Sequence, residues 1–136
     1  MTDLQLSNLT NTLCKEERLC GKQVISNLFD HGTSFFQSPY RVFWTKIPET
    51  YRYPIRFAVS VPKRRMKRAV KRNLIKRRTR EAFRTGKQIL NTAITSGQLH
   101  LMFVYVSDNL LSYAEIEASM KKILLRINAS NLKHQD

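Results

Sequence analysis

The stretch from Lys63 to Lys87, KRRMKRAVKRNLIKRRTREAFRTGK, constrains this chain more than any other. Thirteen of its 25 residues are Lys or Arg, and Glu81 is its single acid. Pro62 stands just ahead of it, and no proline lies within it. Its Ala, Leu, Ile, Lys, Arg and Glu residues suit a helix. At about 100° per residue, a helix over Arg68 to Thr85 brings Ile75, Thr79, Ala82 and Phe83 to one side. Asn73, Lys76, Arg77, Arg80 and Arg84 gather on a neighbouring wedge about 100° wide, with Arg72 at its border. One face can then pack on a core while the next presents cations. Like charges at i,i+4 repel by roughly a few tenths of a kcal/mol per pair. Folding gains nothing from stacking them, whereas a polyanion turns the repulsion into attraction. A solvated helix face ordinarily mixes signs. This one does not, and it reads as a nucleic-acid face.

The rest of the composition agrees. A chain of 136 residues is one domain with room for a real core. Its net charge of +14 points to nucleic acid or an anionic membrane surface. No apolar run approaches the roughly 18 residues of a spanning helix. The N-terminus, MTDLQLSNLTNTLCKEE, lacks the charged-then-apolar pattern of a signal peptide, which predicts a cytoplasmic protein. Cys14 and Cys20 have no Cys or His partners at zinc spacing and read as reduced thiols.

In chain order, residues 1–13 form a loose polar tail, 14–128 a single domain and 129–136 a polar tail. Lys22 to Asp30 carries Val24, Ile25, Leu28 and Phe29 on one helical stripe, and Gly32 follows as a stop. Thr33 to Phe36 suits a short strand. Tyr40 to Ile47 alternates, with Tyr40, Val42 and Trp44 on one side and Arg41, Phe43 and Thr45 on the other. Pro48 to Pro54 is a connection. Ile55 to Val61 alternates again, Ile55, Phe57, Val59 and Val61 against Arg56, Ala58 and Ser60. As adjacent strands, these two offer one apolar face and one, bearing Arg41, Phe43, Thr45, Arg56 and Ser60, that is too polar for a core. Lys87 to Ile94 suits a further helical turn or two. Leu99 to Val106 is apolar on both sides and predicts an interior strand. Ser112 and Glu115 form a capping box. Behind it, Ile116, Met120, Ile123, Leu124 and Ile127 mark a core-packing helix. The sum is an α+β sandwich of two layers, with the sheet's other face open.

No protein-based active site declares itself. His31, His100 and His134 are scattered, and HExxH, P-loop and GxSxG motifs are missing. The ten acids offer no pair for acid–base or two-metal work. What the chain offers is positioning. The basic helix suits phosphates, and the strand face with Arg41, Phe43 and Arg56 suits a single-strand platform.

Ala69 to Arg84, AVKRNLIKRRTREAFR, resembles the signature of the bacterial ribonuclease P protein component. Ala69, Val70, Arg72, Asn73, Lys76, Arg77, Arg80, Glu81, Phe83 and Arg84 match its pattern. The resemblance extends to Phe-x-His-Gly at Phe29 to Gly32 and to Ser-x-Pro-Lys-Arg at Ser60 to Arg64. It implies the αβββαβα order over a four-stranded sheet, a ribosomal protein S5 domain 2-like fold. It also implies a left-handed βαβ crossover at the motif helix, against the usual hand. It implies that an RNA subunit is the catalyst, and that the protein helps remove the 5′ leader of precursor tRNA without catalytic residues of its own. Mg²⁺ then belongs to the RNA active site, the protein binds no cofactor, and one protein serves one RNA away from membranes. By position, the ribozyme-facing set is Lys63, Arg64, Arg68, Arg72, Asn73, Lys76, Arg77, Arg80 and Arg84. The leader groove is Ile25, Phe29, Arg41, Phe43, Arg56 and Ser60. The chain departs from the pattern at Ile25, where an aromatic is common, and at Lys67, where a glycine is usual. Arg78 and Thr79 occupy usually apolar positions, and Val106 a commonly basic one.

Three rivals share some of these features. A structural RNA-binding protein, for example of the ribosome, would share the charge and the layers. A protein-only nuclease would need an acid cluster. A membrane-surface helix would need a broader apolar face than Ile75, Thr79, Ala82 and Phe83 provide.

Overall fold

The computed structural model describes residues 22–48, 55–91 and 97–135. The residues read as a loose N-terminal tail, both cysteines, and residues 49–54 and 92–96 lie outside that range. The elements are α1 (Lys22–His31), β1 (Thr33–Gln37), β2 (Tyr40–Ile47), β3 (Ile55–Ser60), α2 (Ala69–Gly86), α3 (Gln88–Asn91), β4 (Gln98–Tyr105) and α4 (Tyr113–Gln135). The αβββαβα order holds, with α3 as the extra turn after Lys87. The final helix runs to Gln135, into the stretch read as a polar tail.

The four strands form one mixed sheet in the order β1-β2-β4-β3. β4 is antiparallel to β2 and parallel to β3. The two alternating strands are therefore not neighbours, as local pattern suggested, because β4 lies between them. The cause is in β4 itself. Its side chains are apolar on both sides, and the centre of the sheet is the place covered on both faces. Every described side chain of β4 except Val104 is buried.

One face carries the main core. Tyr40, Val42 and Trp44 of β2, Ile55 and Phe57 of β3, and Leu99, Leu101, Phe103 and Tyr105 of β4 pack against α2 and α4. Ile75, Ala82 and Phe83 supply α2's share, and Ile116, Met120, Ile123, Leu124 and Ile127 that of α4. Phe83 stacks on Phe57 with ring centroids 4.2 Å apart and meets Phe103 edge-on. Burying one such ring contributes about 1.5–3 kcal/mol. The capping box forms as expected. The Glu115 N–H donates to Ser112 Oγ, and the Ser112 N–H to Glu115 Oε2, both at 3.3 Å.

The second face is not left open. Leu28 of α1 is buried against Met102, with Ile25, Phe43, Ala58 and Val104 around them. Met102 and Val104 of β4 supply apolar surface there, and the stripe on α1 needs a partner. At the end of α1 the Gly32 N–H donates to the Leu28 carbonyl at 2.9 Å. A side chain at Gly32 would collide with the Leu28 and Trp44 carbonyls, so the chain can turn this tightly onto β2 only without one.

Candidate RNA interface

The motif helix is buried where its periodicity demands. Ile75, Thr79, Ala82 and Phe83 face the core. Asn73, Arg77 and Arg80 are exposed, and Lys76 and Arg84 are half-exposed. Lys63 and Arg64, on the loop leading in, and Arg68 at the N-cap are exposed as well. The helix has no acid in its first turn and no side-chain cap. Cations and the positive end of its dipole thus act together.

Not every base of the stretch joins this surface. Lys87 is fully buried and closes the helix, its N–H donating to the Phe83 carbonyl at 2.8 Å. Arg78 Nη1 donates to the Leu111 carbonyl and ties α2 to the loop before α4. Arg72 turns back, its Nη1 donating to the carbonyls of Met66 and Lys67 at 3.0 and 2.7 Å. Arg84 pairs with Glu81, its Nε 3.0 Å from Oε2. That bond raises the Arg84 pKa and lowers that of Glu81. The wedge that presents unshared charge is thus centred on Lys76, Arg77 and Arg80.

Two of the departures from the family pattern, at Thr79 and Arg78, also find their reasons. Thr79 is buried with its hydroxyl bonded to Ile75 and Tyr40. A threonine serves where an apolar residue is usual because Tyr40 supplies a polar partner. Arg78 reaches past the core to a backbone acceptor.

The second surface is the α1 side of the sheet. Strand register sorts its residues into rows. Phe36, Arg41, Val104 and Ser60 form one row, and Ser34, Phe43, Met102 and Ala58 the next. Thr45, His100 and Arg56 form a third. Phe29 of α1 meets Phe43 edge-on with centroids 4.6 Å apart and is 42% exposed. The structure thus brings Ile25, Phe29 and Phe43 together. It sets Arg41 and Ser60 apart, in one row with Val104 between them. At the usual strand spacing that separation is about 10 Å. Arg56 lies at the other end of the face from both.

His100, scattered from the other histidines in the sequence, belongs to this face as the third residue of β4. It lies on the floor of this face and is 7% exposed, with Nε2 2.9 Å from Gln98 Oε1. Burial, and then the nearby Arg56 charge, pull its pKa below the usual histidine range. The alternation of β4 was the available signal: Gln98, His100, Met102 and Val104 share a parity opposite to the core residues.

Among the described residues no three His, Cys, Asp or Glu side chains group to fit a metal ion. No described helix is long and apolar enough to cross a membrane.

Fold and surfaces together define a basic α+β domain. It carries a cationic helix against one side of its sheet and the Phe29–Phe43 pair on the other. The family model for ribonuclease P matches residues 13–128, and the chain belongs to that family. The ribonuclease P protein component of Porphyromonas gingivalis is 38% identical over 123 residues, covering 89% of this chain and 90% of that protein. That of Chlorobaculum tepidum is 30% identical over 134 residues, covering 90% and 87%. The RNase P protein from Thermotoga maritima shares the fold with a TM-score of 0.65 at 22% identity, over 81% of this chain and 96% of that one. The Staphylococcus aureus RNase P protein does so with a TM-score of 0.57 at 21% identity, over 82% and 94%.

Proposed function

We propose that this chain is the RNA-binding subunit of a cytoplasmic ribonuclease P, one copy per catalytic RNA, and that it assists removal of the 5′ leader from precursor tRNA. The observation that carries this reading is the pair of surfaces on opposite sides of one sheet. The α2 wedge suits folded RNA, where phosphates crowd and cations relieve their repulsion. The α1 side, read as a trough, suits a single strand. Phe29 and Phe43 offer ring surface for a base, while Arg41 and Arg56 flank them with charge.

The bond is then broken by RNA-held Mg²⁺. Among the described residues no three His, Cys, Asp or Glu side chains group to hold that metal, and in this reading no chemical step runs through the protein. Its contribution is differential binding. A precursor has a leader to lay in the trough and a mature tRNA does not, so contact with the trough favours substrate over product.

Reconstitution with a candidate catalytic RNA at low Mg²⁺ tests the proposal. The protein should stimulate leader removal, and the complex should bind precursor more tightly than mature tRNA. Equal binding of the two would remove the trough from the mechanism. Cleavage by the protein after complete RNA digestion would remove the assisting role.

A further inference from the structure

Between the loop that leads into α2 and the loop that follows β4 lies an open cleft of about 230 Å³. Arg65, Lys67, Arg68 and Lys71 supply its cations, Asp108 its acid, and Met66 and Leu110 its apolar surface. Only Arg68 belongs to the surfaces described above.

The wall of this cleft is fixed in advance. Arg72 clamps the Met66 and Lys67 carbonyls from α2, and the Met66 side chain is anchored in the core. Arg65 Nη1 pairs with Asp108 Oδ1 through one long, exposed contact of 3.5 Å. Arg65 Nε is closed off from solvent without a hydrogen-bond partner. Leu110, an apolar residue, is 42% exposed at the rim.

A site for phosphate alone needs cations. A carboxylate works against it, and an apolar wall adds nothing. Both suit a nucleobase. The volume is below the roughly 300–1,000 Å³ of drug-sized pockets, which limits the occupant to about one nucleotide. A carboxylate accepts a pair of N–H donors, and guanine presents such a pair on its Watson–Crick edge. Adenine offers one amino group beside an acceptor nitrogen that repels the carboxylate. Proteins that read single-stranded RNA address splayed-out bases on this edge.

We propose that this cleft receives one extruded guanine nucleotide of the RNA bound by α2. Lys67, Arg68 and Lys71 hold its phosphate, Leu110 packs against the base, and Asp108 accepts from its edge. Arg65 stays beside Asp108 and balances its charge. The proposal rests on the RNA-binding reading of α2.

The test titrates the full-length chain with GMP, AMP and inorganic phosphate, following backbone amide shifts by NMR. GMP should move the amides of Lys67 to Lys71 and of Asp108 to Leu110, and should bind about fivefold or more tightly than AMP. Inorganic phosphate should bind more weakly and leave Asp108 to Leu110 in place. Asp108→Asn, at an exposed position, should abolish the preference for GMP over AMP while phosphate still binds. Equal affinity for GMP and AMP, equal affinity for GMP and phosphate, or a preference that survives Asp108→Asn would each overturn the proposal. A parallel measurement of the salt dependence of binding to a structured RNA reports on α2 alone. Steep dependence without guanine preference sinks the cleft and leaves the helix reading standing. Flat dependence sinks the helix reading, and with it the claim that the guanine belongs to RNA held by α2.

Discussion

The hydroxyl oxygens of Tyr40 and Thr79 lie 2.5 Å apart in the buried seam between β2 and α2. Thr79 also donates to the Ile75 carbonyl, so the Tyr40 hydroxyl is the donor between the two. Burial holds the Tyr40 pKa far above the usual phenol range, with the bond to Thr79 a smaller opposing effect. This neutral pair fixes the cationic helix to the sheet. Thr79→Val leaves a buried hydroxyl without its acceptor and should lower stability by about 1–3 kcal/mol. Tyr40→Phe combined with Thr79→Val should cost less than the sum of the two single changes. Urea denaturation of the four proteins measures this. Strict additivity would show that the pair contributes nothing as a pair.

The charge on α2 separates by task. Lys76, Arg77 and Arg80 make no intramolecular bond that would keep them from RNA phosphates, while Arg78 is committed to the Leu111 carbonyl. Replacing the first three by Ala should lower the slope of log affinity against log salt by about 2–3, since each phosphate contact is worth roughly 0.7–0.9. Arg78→Ala should leave that slope unchanged and lower the thermal midpoint instead. Filter binding at several salt concentrations distinguishes the two. A slope indifferent to the triple change would take α2 out of the interface.

Much of this was readable from the chain because α2 is amphipathic. Its four apolar-side residues are the four it buries, and 3.6-residue spacing is a local property. Strand neighbours are not local. Nothing within Tyr40 to Ile47 or Ile55 to Ser60 records that β4 will enter between them, so Arg41 and Arg56 could be assigned to a common face but not placed on it. The fate of individual cations was equally hidden. Lys87 and Arg78 look like their neighbours in the sequence. The burial of Lys87 and the bond from Arg78 to the Leu111 carbonyl arise only in the folded chain. The role of His100 was hidden for the same reason, since it depends on which side of a doubly apolar strand faces α1.

The Phe29–Phe43 contact sets the next expectation. Phe29 is half open to solvent and held edge-on to Phe43, so a ring face is available for a stacked base. Phe29→Ala should weaken precursor binding by about 1–3 kcal/mol, the usual worth of one base stack. Binding of mature tRNA should not change. Phe43 also packs against Leu28 and Met102 in the small α1 cluster, so Phe43→Ala should cost stability as well. Affinity for both RNAs falling together would place Phe29 outside the leader contact.

His100 gives the molecule a pH dependence whose sign follows from its surroundings. Arg56 and Thr45 flank it across the strands, and Gln98 Oε1 accepts from its Nε2 along β4. Burial and then the Arg56 charge keep it neutral below the pH at which a free histidine takes up a proton. In the unfolded chain the same imidazole protonates near the ordinary value of about 6.5. As pH falls below that point the unfolded state binds the proton first, so stability is present above it and is lost on acidification. Thermal unfolding should show the midpoint dropping as pH falls from about 7 towards 5, where a free histidine titrates. His100→Gln should flatten that slope while keeping a polar partner for Gln98. A midpoint equally steep in the variant would assign the dependence to other groups.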